Sequence, residues 1–85
     1  MDFQIKLNGQ RIETGEIEAV MRQAEGVQDA LVVLSGGGKP GSFLVGYAVA
    51  EGVDEASIRM ACEGMLPSYM VPSAFVLLEA WPLNA

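Results

Sequence analysis

The sequence predicts a small α+β domain: an N-terminal β-ribbon, then a mostly three-stranded sheet with two packed helices, in the order ribbon, helix, strand, strand, helix, strand. Three observations predict it. Residues 3–8 alternate apolar and polar and run into an Asn-Gly pair. Two later segments repeat apolar residues at helical spacing. Three short apolar runs, bounded by turn residues, have the length and composition of buried strands.

The ribbon comes first. Phe3, Ile5 and Leu7 alternate with Gln4, Lys6 and Asn8, the period-2 pattern of a half-buried strand. Asn8-Gly9 is a strong hairpin signal because both residues tolerate positive φ. Gln10 to Glu13 then returns as the second strand. Thr14 is placed to cap a helix whose first turn carries Glu16 and Glu18, favourable near the positive end of the helix dipole. Ile17, Val20, Met21 and Ala24 fall on one face of that helix, and Gly26 is expected to end it.

Ala30 to Leu34 and Phe43 to Val49 are continuous apolar runs, both predicted as central strands buried on two faces and paired antiparallel. Ser35 to Ser42, rich in glycine, joins them. Asp54 suits the N-cap of a second helix, and Val53 and Ile58 have the spacing of a hydrophobic staple. Ile58, Ala61, Cys62 and Met65 form its predicted buried face. Pro67 stops it, and Phe75 to Leu78 supplies the third strand of the sheet.

Eighty-five residues make one domain, 1–85, with one modest core. Apolar content is high and aromatics are few, so the core is aliphatic. Net charge is −6, and the five basic residues, Lys6, Arg11, Arg22, Lys39 and Arg59, are spread along the chain. That argues against nucleic acid and against an anionic membrane surface as partners. A single cysteine, Cys62, excludes an internal disulfide and fits a reducing compartment. With no long apolar stretch and no signal-peptide pattern, a cytoplasmic protein is expected.

The sequence from Asp2 through Gln4-Ile5-Lys6-Leu7-Asn8-Gly9-Gln10-Arg11-Ile12-Glu13 to Gly15-Glu16-Ile17-Glu18 resembles the hinge motif of the adenylation domains of nonribosomal peptide synthetases. A second block, Leu66-Pro67-Ser68-Tyr69-Met70-Val71-Pro72 followed by Phe75 to Leu78 and Pro82-Leu83, resembles the same family at the right distance. The two blocks extend the resemblance over essentially the whole chain. It implies the small C-terminal lid subdomain of such a domain. In the family an Asn-Gly-Lys segment follows, whose lysine is catalytic. This sequence ends at Leu83-Asn84-Ala85, so that lysine is expected beyond Ala85, no catalytic residue is assigned here, and both ends read as cut points.

The resemblance implies the remaining assignments. Asp2 matches the hinge about which the subdomain rotates, although a terminal residue alone reads as frayed. Asn8, Gly9 and Gln10 match the loop that lines a tunnel for the phosphopantetheine arm of a carrier protein. The turn chemistry of Asn-Gly explains Gly9 equally well by itself. Arg11 matches an arginine that meets phosphate or the larger subdomain; its residue-level reading is a solvated strand residue, paired across the ribbon. Glu13, Glu16 and Glu18 read as helix-start electrostatics, with no acid–base role in a chain without histidine.

Other candidates carry less. Ser35 to Ser42 fails the phosphate-loop pattern, because Pro40 follows Lys39 and a strand follows the loop. Cys62 lies on an apolar face with no base to activate it and reads as a structural thiol. The methionines do not cluster as a metal site needs, so no metal ligands are assigned. Tyr69, Met70 and Trp81 are expected to form a partly exposed apolar patch.

By resemblance the intact enzyme uses ATP and Mg²⁺ to form an aminoacyl adenylate, then transfers the aminoacyl group to phosphopantetheine on a peptidyl carrier protein, in secondary metabolite biosynthesis. The fragment alone is expected to bind no cofactor and to be inactive without the larger N-terminal subdomain. Two alternatives stand beside this reading: the lid of an acyl-CoA or aryl-acid ligase, and a stand-alone interaction module.

Overall fold

The computed structural model describes residues 4–7, 10–36 and 41–81. The elements are β1 (Gln4–Leu7), β2 (Gln10–Glu13), α1 (Thr14–Gln23), β3 (Val27–Ser35), β4 (Phe43–Ala50), α2 (Glu55–Met65), a 3-10 turn (Ser68–Met70) and β5 (Ala74–Leu78). This is the α+β order that the sequence predicts. β1 and β2 form an antiparallel ribbon, and β3-β4-β5 a separate sheet with β4 in the middle. β4 runs antiparallel to β3 and parallel to β5. The parallel pair follows from α2, because two parallel strands require a crossover between them.

Both helices lie on one face of the sheet. Ala30 and Val32 of β3, Leu44 and Ala48 of β4, and Phe75 of β5 meet Ile17, Val20 and Met21 of α1 and Ile58 and Cys62 of α2 in one core. Ile12 of β2 joins it with no exposed surface, which anchors the ribbon to the body. Gly46 on β4 leaves room for α1. A Cβ there would come within 3.0 Å of Met21 Cε and 3.2 Å of Phe75 Cδ1, so the missing side chain lets the helix settle on the sheet.

The second helix starts as expected. Asp54 is its N-cap, and its Oδ1 accepts from the Ser57 N–H at 2.9 Å. Val53 is partly buried against the core that contains Ile58, as a staple requires. Cys62 is fully buried, as a structural thiol should be.

Several details differ from the sequence-based expectations. β3 is an edge strand, and its burial alternates: Ala30 and Val32 face the helices while Leu31 is 46% exposed. An apolar run does not distinguish an edge from a centre, since strand order depends on partners distant in sequence. Thr14 is the first residue of α1, and Glu13 holds the N-cap position. α1 ends at Gln23, so Gly26 closes the following turn instead. There Val27 N–H donates to Ala24 O at 3.1 Å, and Gly26 has φ +89°. A Cβ on Gly26 would also meet the Glu51 carbonyl at 2.9 Å.

Two methionines exchange the places expected of them. Met65 is 60% exposed and Met70 only 6%. The chain leaves helical geometry at Leu66 (φ −120°, ψ 150°), and Leu66 and Met70 fill the core where Met65 was expected. Among the described residues no helix is long and apolar enough to cross a membrane.

Candidate functional site

The ribbon's register sets two basic positions opposite each other. Its register pairs Gln4 with Glu13, Ile5 with Ile12, Lys6 with Arg11 and Leu7 with Gln10. Arg11 is exposed, as a solvated strand residue, yet it stands opposite another cation. Like charges directly across a ladder repel each other. The register thus sets the backbone positions of two of the five basic residues of a chain with net charge −6 opposite each other, on a ribbon rooted by Ile12. Asp2, Asn8 and Gly9 lie outside the described residues. The Gly37 to Pro40 part of the glycine-rich loop does too.

A polar network that the sequence does not reveal lines the outer edge of β3. Glu18 Oε2 accepts from Val32 N–H at 2.8 Å. Arg22 donates from Nε to Asp29 Oδ1 at 3.2 Å and from its terminal NH2 group to Ala30 O at 3.1 Å. The Asp29 Oδ1 atom also accepts from Ala30 N–H at 2.8 Å. Glu18 and Arg22 face each other at 3.9 Å. Glu18 is thus a tertiary cap on an edge strand, not only a helix-start charge. At Ala30 and Val32 the edge resists a further strand because the Ala30 N–H, the Ala30 carbonyl and the Val32 N–H are already engaged by side chains.

Trp81 completes this network from the far end of the chain. Its Nε1–H donates to Asp29 Oδ2 at 2.8 Å. The indole bond, the Ala30 N–H and Arg22 together hold the Asp29 carboxyl below its ordinary pKa. Trp81 is half-buried, Met70 is buried and only Tyr69 is open to solvent, so the expected exposed patch of these three residues does not form. Exposed apolar side chains occur instead on the sheet face turned away from the helices, at Leu31, Phe43 and Val76.

Arg59 stands beside an open groove and is already engaged. Arg59 lines a groove with Glu63, Ser68 and Ser73. It pairs with Glu55 at 2.6 Å and lies 5.0 Å above the Phe75 ring. Cys62, on the same helix, is fully buried, and burial pushes its thiol pKa up. Among the described residues no three His, Cys, Asp or Glu side chains are grouped to hold a metal ion.

Sequence reasoning named Arg11 and placed Trp81 in an apolar patch, but it gave Asp29 no role and did not join Trp81 to it. The i, i+4 spacing of Glu18 and Arg22 was a usable signal. Nothing local links Asp29 to Trp81, which are 52 residues apart.

Residues 16–85 match the family model described as AMP-binding enzyme C-terminal domain. The chain is 46% identical over its whole length to part of tyrocidine synthase 3 of Brevibacillus parabrevis and spans 1% of that protein. Among solved structures, 96% of it superposes with TM-score 0.81 and 40% identity on 6% of a four-domain nonribosomal peptide synthetase bound to AMP and glycine. A Mycobacterium tuberculosis fatty acyl CoA synthetase matches at 29% identity and TM-score 0.82, over 95% of this chain and 16% of that one.

Proposed function

The chain belongs to the AMP-binding enzyme C-terminal domain family, and on that premise we propose that it is the mobile lid of an ATP-dependent amino-acid adenylation domain in a nonribosomal peptide synthetase. In this reading the larger N-terminal subdomain binds the amino acid and ATP and forms aminoacyl-AMP with release of pyrophosphate. The lid then rotates about Asp2, and the aminoacyl group passes to the phosphopantetheine thiol of a peptidyl carrier protein as AMP leaves. The relatives at 40% identity and above that are described here are peptide synthetases, whereas the acyl-CoA synthetase stands at 29%. That difference supports the peptide branch over the alternative lid of an acyl-CoA ligase.

The observation that carries the reading is the ribbon. A rooted two-stranded arm sets Arg11 opposite Lys6 and leads into the helix that begins at Thr14. A basic arm in an acidic domain suits phosphate, whether of a nucleotide or of a phosphopantetheine arm. Gln10 begins β2 next to Asn8 and Gly9, and glycine there has no side chain to obstruct a passing arm. This 85-residue sequence has lysine only at positions 6 and 39, and the catalytic lysine is assigned to the segment that follows Ala85. Among the described residues no three or more side chains of the His, Cys, Asp or Glu kind gather around one point. The metal and most nucleotide contacts are assigned to the larger subdomain, and the cytoplasm supplies the reducing setting that a carrier thiol requires.

NMR titration of the labelled chain tests the proposal. Shifts confined to Gln10, Arg11 and their neighbours on adding a phosphopantetheinylated carrier protein, and lost in Arg11→Glu, are the expected result. Shifts elsewhere, or identical shifts with a carrier that lacks the arm, would overturn the tunnel assignment.

A further inference from the structure

Asp29, Val49 and Leu78 form one row across the sheet, from edge strand β3 through β4 to edge strand β5. They lie on the register that faces away from the helices. The chain leaves β5 at Leu78, and three residues later Trp81 delivers its indole N–H to Asp29. Neighbouring strands stand about 4.8 Å apart, so this short strap crosses roughly 10 Å, the full width of the sheet. Val49 under the crossing is 6% exposed although it is not part of the helix-side core. At the receiving end the register between β3 and β4 shifts between Val27 and Asp29, and such an irregularity re-aims a side chain. Arg22 and the Ala30 N–H hold Asp29 Oδ1, which leaves Oδ2 for Trp81.

We propose that Asp29 and Trp81 are a positioning pair: their hydrogen bond sets the place and direction in which the chain leaves the domain after Trp81, and so aims the segment that follows at the adenylation site. The inference rests on the proposed function, in which that segment carries the lysine of the first half-reaction and is withdrawn for the second. A rigid exit matters because a reactive group displaced by about 1 Å loses much of its contribution. β5 ends at one edge of the sheet and Asp29 stands at the other, so without the bond the exit is tethered on one side only.

The test is made in the longer synthetase that carries this chain, with Trp81→Phe, which keeps an aromatic ring and removes the donor, Asp29→Ala, and the double variant. Adenylate formation is followed by pyrophosphate exchange, and transfer is followed from preformed aminoacyl adenylate. The expected result is a kcat for adenylate formation lowered about tenfold in Trp81→Phe with KM within about twofold, unchanged transfer, and no further loss when Asp29→Ala is added. Equal losses in both half-reactions, full activity in Trp81→Phe, or additive losses in the double variant would overturn the pairing. A wild-type synthetase inactive in both half-reactions would instead remove the proposed function on which the pairing rests.

Discussion

Glu18 on α1 accepts a hydrogen bond from the backbone N–H of Val32 on β3 at 2.8 Å, joining the helix to the outer edge of the sheet across fourteen residues. Val32 is itself core, 5% exposed, so its amide has little access to water. Glu18→Ala should cost about 1 to 2 kcal/mol by leaving that amide unpaired. Glu18→Gln, which keeps an acceptor, should cost less. Urea unfolding of the three proteins checks the order; equal stabilities would show that the edge does not need the cap.

Gly46 tests the fit of helix to sheet. Adding Val at this position drives a branched side chain against Met21 and Phe75, where even a Cβ meets atoms at 3.0 to 3.2 Å. The expected loss is about 1 to 3 kcal/mol, read as a lower urea midpoint with unchanged slope. Pairing Gly46→Val with Met21→Ala should recover part of it if the Met21 contact is the cause.

Stability should fall in acid through two carboxylates. Asp29 is held low first by the Trp81 indole and then by Ala30 N–H and Arg22, and Asp54 first by the Ser57 N–H. Both carboxyls have folded pKa values below their unfolded ones. Their stabilisation is therefore fully present above the unfolded value of about 3.9 and disappears as pH falls through the lower folded values. Urea midpoints measured from pH 6 to pH 2 should drop in that window, and the drop should shrink in Asp54→Asn. A profile that is the same in the variant would remove Asp54 from the account.

Cys62 has no exposed surface and a thiol pKa raised by burial, which the Arg59 charge only partly opposes. Modification by a thiol reagent at pH 8 should be at least about a hundredfold slower in the native chain than in urea, and should follow the unfolding equilibrium. Rapid labelling without unfolding would contradict the burial.

Much of the fold is legible in the residues themselves. The alternation of residues 3–8, the apolar periodicity from Ile17 to Met21, the Asp54 cap and the three apolar runs all state local preferences that a backbone of this length can satisfy in few ways. The family was legible as well, because its motif residues from Gln4 to Glu18 are contiguous in sequence.

Tertiary contacts settle what local patterns leave open. The run from Ala30 to Leu34 reads the same at an edge as at a centre, and only the docking of β5 beside β4 makes β3 the edge. Met65 loses its core place to Met70 because the chain leaves helical geometry at Leu66, and Leu66 and Met70 turn into the core. Glu18, Asp29 and Trp81 look like solvent-facing residues in the sequence and become one network through contacts 14 and 52 residues apart. Side-chain periodicity carries the choice of helix or strand because it is a property of the nearest few residues; partner identity depends on which surfaces meet once the chain has closed on itself.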